Sequence, residues 1–301
     1  MNNASNGLKN SRADKAFYLF NGIFMLVIFL LFAWPLWFVV IASFSDPNLV
    51  QIGQVWLWPR GFHLDGYELL VQYPDILRGY LNSIIYTTSG TALNIVMTIC
   101  AAFPLSRMDF VPRKFFTIFF IITMYFGGGL IPYFLQVRGL GLYNNPLVFI
   151  IPSAISFGNV LILRSFFMCG IPKGIEEAAV IDGANSFQLL VKVLLPLTKP
   201  VLAVLVLYNA VGRWNDFFTP LIFIQNRNLI PLQTVLRDIL IVGNIDLSIT
   251  GLEMEALVQK LRIAQTLRYS VIIVSTVPLM LAYPFVQKHF VKGVMLGAIK
   301  G

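Results

Sequence analysis

With two cysteines, two histidines and only 12% charged residues among 301, the chain has little of the material from which active sites are made. His63 and His289 stand far apart, and no metal-ligand spacing joins either of them to a carboxylate or to Cys100 or Cys169. No Ser/His/Asp or Cys/His constellation can be assembled, so neither a catalytic nor a metal site is expected. A phosphate-binding loop is missing too. "FGGGLIPYF" at 126–134 is rich in glycine but lacks the Lys-Ser/Thr and the strand context of a nucleotide cradle. Its three glycines suit a helix that starts to unwind, or one that packs closely, near the outer face.

What the chain has instead is apolar length. Hydrophobic residues make up 57% of it, with 26 phenylalanines. Five stretches carry no charge: Ala16–Ser45 (30 residues), Gly79–Ser106 (28), Phe115–Val137 (23), Gly139–Leu163 (25) and Tyr269–Gln287 (19). A helix needs about 20 apolar residues to cross the hydrocarbon core, so all five are long enough. A sixth run, Pro200–Asn226, is interrupted by Arg213 and Asp216. The sequence therefore predicts an all-α membrane protein with six transmembrane helices. The first run is too long for a signal peptide and no small-x-small cleavage site follows it.

Charge orients these spans. With the N-terminus inside, the inner segments hold 12 Lys/Arg against 5 acids, and the outer segments hold 8 of each. The positive-inside rule then makes both termini cytoplasmic. The net charge of +8 is thus a topology signal, and no nucleic-acid partner is expected. The organisation that follows is a cytoplasmic N-terminus (1–15), a first transmembrane helix (16–45), a five-helix transmembrane domain (79–290) and a cytoplasmic tail (291–301). Cys100 and Cys169 fall near inner span ends, away from an oxidising compartment, so no disulfide is expected.

One cytoplasmic segment, 169–199, is unlike the rest. It contains "EEAAVIDGANSFQLLVKVLLPLTKP" at 176–200. Pro172 suits the first turn of a helix, and Glu176 and Glu177 suit its positive end. Ala178 and Ala179 allow another backbone to approach, Asp182-Gly183 gives a turn, and a second short helix from Ser186 is expected to end before Pro196. From composition alone this is an amphipathic hairpin on the membrane surface.

The spacing of Glu177, Ala178, Ala179, Gly183, Val193, Leu195 and Pro196 resembles the Glu-Ala-Ala coupling loop of membrane subunits of ATP-binding-cassette importers. "RWNDFFTPLIF" (213–223) and "FVKGVMLGAIKG" (290–301) are similar to stretches of maltose-type carbohydrate importers, and "TMYFGGGLIPYFL" with "GLGLYNN" to a subgroup moving oligosaccharides or polysaccharide fragments. The resemblance covers the chain from span two onward and implies the type I importer permease fold. It also implies a second homologous permease, two cytoplasmic ATPase subunits and an extracytoplasmic sugar-binding protein, in a bacterial cell (inner or plasma) membrane among lipid. This chain would bind no cofactor, ATP and Mg2+ belonging to the ATPases. Glu176, Glu177, Ala178, Ala179, Asp182, Gly183, Leu195 and Pro196 would then serve ATPase coupling. The apolar tail around Lys292, Gly293, Met295 and Gly297 would insert between the two ATPases.

Span five carries the polar break. From Lys199, Arg213 lies roughly 21 Å along a helix, past mid-membrane. A charge there costs at least ~2.5 kcal/mol and needs a partner or a watery cavity. Arg213 and Asp216, three apart, can pair within the helix. Alternatively Asn209, Arg213, Trp214, Asn215 and Asp216 line a sugar pathway, where an aromatic face and polar groups meet a sugar's two surfaces. Outside the membrane, "LQTVLRDILIV" (232–242) has helical spacing. That helix suits the outer surface, touching the binding protein or packing over the pore mouth, and the 46–78 loop, with Trp56 and Trp58, suits an interfacial aromatic belt. Other classes fit less well. A secondary transporter would show inverted repeats and several buried ionisable groups, a membrane enzyme would need a cluster of His or carboxylates, and a channel would leave the coupling loop unexplained. An importer for a different small solute is the closer alternative.

Overall fold

The computed structural model describes residues 11–72, 74–242, 265–281 and 283–284. Among these residues every regular element is helical, as the apolar patterning predicts. Helix α1 (Arg12–Ser43) opens on a capping box in which Asp14 accepts the Ser11 amide at 2.8 Å and Ser11 accepts the Ala13 amide. At its far end the hydroxyls of Ser43 and Ser45 donate back to the carbonyls of Val40 and Ile41, each at 2.7 Å. Among the described residues it is the C-terminal part of α1 that packs on the chain, Phe38, Ile41 and Ala42 joining Val50, Val55 and Tyr269.

Two short helices, α2 (Pro47–Gln51) and α3 (Asp65–Gln72), lead to α4 (Pro74–Ser106), the axis of the molecule. Gly79, Ser83, Gly90, Asn94, Thr98 and Ala102 are buried along one side of it, at spacings of four or seven residues. Small residues at that spacing let helices approach closely where lipid provides no hydrophobic drive between them. The face receives three later helices.

The third expected span is not one straight helix. It divides into α5 (Arg113–Tyr125) and α6 (Leu130–Gly139), bent by 114°. The break falls on Gly127, Gly128 and Gly129, and Gly129 has φ +83°, a conformation costly for any side chain. The fourth expected span, 139–163, needs a larger correction. Gly141 (φ 71°) and Asn144 (φ 54°) turn the chain, Pro146–Phe149 is a single 3₁₀ turn, and regular helix α7 begins only at Phe157 (Phe157–Ser165). Helix α7 runs on through a π-helical turn, Phe166–Gly170. Of the apolar residues before it Leu142, Val148 and Phe149 are buried while Leu147, Ile151 and Ile155 are exposed, and their backbone is unwound.

A hairpin follows. Helix α8 (Lys173–Ile181) turns at Asp182-Gly183 into α9 (Ser186–Gln188), a π-helical stretch Leu189–Leu194, and α10 (Leu195–Leu197). Contrary to expectation this second arm does not stop before Pro196. It carries Pro196 within the first turn of α10, where a missing N–H costs nothing. A 78° bend at Thr198 starts α11 (Lys199–Trp214). The remaining described helices are α12 (Phe218–Phe223), α13 (Leu232–Val242, as its spacing predicts) and α14 (Gln265–Leu281). Among the described residues two helices, α1 and α4, are long and apolar enough to cross a membrane singly. The two bent pairs qualify as broken spans, and Phe157–Gly170 and α14 are shorter apolar helices.

Two apolar clusters occupy opposite ends of α4. One gathers Tyr86, Phe149, Trp214, Phe223, Leu232 and Val271, the other Ala102, Leu105, Val160, Phe167, Leu194 and Leu205. Between them lies a polar layer.

Candidate functional sites

That polar layer holds a cavity of about 390 Å³, lined by α4, the unwound segment before α7, α11 and the start of α12. Arg213 organises it. Its guanidinium donates to the carbonyl of Phe149 and, at 2.8 Å, to that of Ser153. Asn94, fully buried on α4, donates to the same Ser153 carbonyl at 3.0 Å. The carbonyls left free by unwinding are therefore capped by side chains from two helices, so this non-helical backbone keeps its acceptors paired. Gly90 is what lets the guanidinium lie flat against α4, since any β-carbon there would collide with it.

The expected intrahelical pairing of Arg213 with Asp216 is absent. Asp216 instead accepts the amides of Phe218 (3.1 Å) and Thr219 (3.0 Å) and so fixes the start of α12. Its neighbour Asn215 ends α11 as a cap residue and accepts from Gln233 at 3.3 Å. Trp214 is 4% exposed. It donates to the Ser275 carbonyl at 3.0 Å and stands edge-on to Tyr80, so it pins α11 to α14. Of the five residues proposed from the sequence, Asn209, Arg213 and Asp216 face the cavity and Trp214 and Asn215 turn away from it. The aromatic lining comes instead from Tyr133 on α6, Tyr208 on α11, and Tyr86 and Phe149, whose rings stack 4.3 Å apart. The sequence reading missed Ser83, Tyr86, Gly90 and Asn94, although their spacing of three and four residues along α4 was a usable signal.

The second site is the 169–199 hairpin. Gly183 has φ +81° and nothing within 4 Å of where a β-carbon would stand, so its role within this chain is the turn itself. The Gly183 and Ala184 amides close the turn on Val180 and Ala179, and Asn185 with Gln188 forms a reciprocal cap on the second arm. Glu176 does more than complement a helix end. It holds Arg107, from the connection between α4 and α5, through two bonds of 2.7 and 3.1 Å. This bidentate pair ties the hairpin to the end of α4. Ile181, at 85% exposed, Val180 and Phe187 project from the turn. Leu195 and Pro196 stand at the base of the second arm, while Glu177, Ala178 and Asp182 lie along the open first arm. The tail residues Lys292, Gly293, Met295 and Gly297 lie outside the described residues.

The family model for the binding-protein-dependent transport system inner membrane component matches residues 6–296. The chain belongs to that family. The permease is 36% identical, over 98% of its length and 100% of the relative's, to the polygalacturonan/rhamnogalacturonan transport system permease protein YtcP of Bacillus subtilis (strain 168). It is 33% identical to protein LplC of the same organism, over 98% of each chain. Its fold matches a chain from the crystal structure of a bacterial ABC transporter involved in the import of the acidic polysaccharide alginate. The TM-score there is 0.81 at 31% identity, covering 93% of this permease and 98% of that chain.

Proposed function

We propose that this permease subunit passes an oligosaccharide or a polysaccharide fragment inward across the cell membrane, as one half of a pathway completed by a second permease. The observation that carries the substrate class is the cavity. Tyr133 and Tyr208 line it together with the amide, hydroxyl and charged groups of Asn209, Ser156 and Asp216. A sugar presents apolar faces and hydroxyl edges, and this lining suits both. The names of the relatives support the same class: one transports polygalacturonan and rhamnogalacturonan, and the matched solved structure imports alginate.

In this reading α1, α4, the bent pair of α5 and α6, Phe157–Gly170, α11 and α14 are six spans with both termini cytoplasmic. Cysteines placed singly at Asp109 and Asp65, both exposed, in a background lacking Cys100 and Cys169, check the orientation in intact cells. The first is expected to resist an impermeant thiol reagent and the second to react. Reversed labelling would move the hairpin to the wrong side.

The hairpin is then the seat of two-way coupling. Ile181, Val180 and Phe187 dock into a cytoplasmic ATPase, which binds ATP and Mg2+, and Arg107–Glu176 conveys its closing motion to α4. The tail around Lys292, Gly293, Met295 and Gly297 supplies a second ATPase contact, and an extracytoplasmic sugar-binding protein delivers substrate. Ile181→Asp tests the docking without touching the core. A central apolar anchor is worth about 2 kcal/mol or more in such an interface, so roughly thirtyfold weaker ATPase association is expected. Permease amounts in the membrane should be unchanged. Undiminished co-purification of the ATPase with Ile181→Asp would remove the hairpin from the interface.

A further inference from the structure

The connection after α1 is a built surface rather than a slack loop. Val55 is buried against the end of α1. The Arg60 amide donates to Ser45 Oγ at 3.1 Å, the Asp46 amide to the Arg60 carbonyl at 3.0 Å, and Phe44 stacks on Phe62. This frame holds Trp56 and Trp58 outward, at 68% and 74% exposed, with Leu57 between them. Such a rigidly presented apolar patch needs a non-aqueous neighbour.

The loop also folds back along α1. Trp37 Nε1 donates to the Leu57 carbonyl at 3.1 Å, and the rings of Trp34 and Trp56 lie 6.1 Å apart. Trp37 and Trp34 precede the last residue of α1 by six and nine positions, so the loop descends about 9–14 Å below the helix end at 1.5 Å per residue. Counting from Lys15, the last charge at the other end, about 20 residues of hydrocarbon bring the boundary close to Pro35. Trp34, Trp37, Trp56 and Leu57 therefore share the height at which acyl chains give way to headgroups. Tryptophan concentrates at that height because its ring is apolar and its N–H needs an acceptor.

We infer that residues 54–62 form an interfacial anchor. Trp56, Leu57 and Trp58 insert at the headgroup–acyl boundary of the leaflet beside the C-terminal end of α1, and Arg60 reaches lipid phosphate. Trp37 and Trp56 have their N–H groups satisfied within the chain, by Leu57 and Gly53. Trp58 Nε1 and the Arg60 guanidinium have no partner among the described residues, and ester carbonyls and phosphates at this level accept from both. A soluble binding protein approaching the helix ends would stand above this level, which favours lipid as the occupant. The anchor holds α1, which has few other contacts among the described residues, at a fixed depth. The inference rests on α1 crossing the bilayer.

Nitroxide depth measurements on the assembled transporter in phosphatidylcholine bilayers test it, with Cys100 and Cys169 replaced by serine. A label at Trp58→Cys is expected to meet oxygen more than a water-soluble nickel chelate. Its depth should fall at the headgroup–acyl boundary, well above that of a label at Phe24→Cys in the middle of α1, and adding binding protein should not change it. Domination by the nickel chelate at position 58 would place the loop in water. Exclusion of both reagents would place it under the second permease, and immobilisation on adding binding protein would make it a docking surface. Each of these overturns the anchor while a deep Phe24 label keeps α1 as a span; a shallow Phe24 label overturns both. If Trp58→Cys fails to assemble, Leu57→Cys carries the same expectations.

Discussion

Exchanging the two charges of α11, Arg213→Asp together with Asp216→Arg, is expected to leave transport abolished. An intrahelical ion pair would survive such an exchange, because the attraction is indifferent to which position carries which sign. The structure gives the two residues separate duties. Arg213 donates to the Phe149 and Ser153 carbonyls, and Asp216 accepts the Phe218 and Thr219 amides. After the exchange an aspartate would face two carbonyl oxygens and an arginine two amide protons, so four favourable contacts become repulsive. Hydrogen bonds to charged groups contribute about 1.5–3 kcal/mol each. The expected result is loss of both uptake and stable assembly, equal to or worse than either single change. Arg213→Lys should recover only part of the function, because an ammonium lacks the planar fork that spans two carbonyls. Full uptake by the exchanged protein would return the pair to a purely electrostatic role.

Gly183→Val is expected to abolish binding-protein-stimulated ATP hydrolysis and uptake while the complex still assembles in the membrane. The reason is conformational. A side chain at φ +81° costs about 1–2 kcal/mol, more for a β-branched one, and the hairpin can relieve that strain only by opening the turn. Opening it moves Ile181 and Val180 relative to Glu176, whose bonds to Arg107 anchor the first arm. Nothing in this chain lies within 4 Å of the missing β-carbon. Gly183→Asn, which tolerates the left-handed region, should therefore retain most of the coupling. Equal failure of Gly183→Asn and Gly183→Val would show that an ATPase surface packs on the glycine and that the turn is not what matters. Normal stimulated hydrolysis in Gly183→Val would separate the hairpin from coupling altogether.

The sequence by itself determined what local chemistry controls. Apolar length marked α1 and α4 as spans, three consecutive glycines marked the break between α5 and α6, and Asp182-Gly183 marked the turn of the hairpin. Each depends on residues within one or two turns of one another, so the pattern is complete in a short window. The family, too, was legible, because the coupling loop's landmarks are close in the chain. Tertiary structure decided the rest. Apolar length measures partition into lipid but not backbone conformation, and so 139–163 read as a helix although its first half is unwound and capped by Asn94 and Arg213 from other helices. Gly141, Pro146 and Pro152 were the local warning. Trp214 and Tyr208 sit on the same polar-aromatic stretch, yet one is buried on α14 and the other opens to the cavity, a choice made by the rotation of α11 against α4. The bond from Glu176 to Arg107 joins residues 69 positions apart. Side chains meet across such distances only when packing brings their helices together, and packing is a property of the assembled bundle.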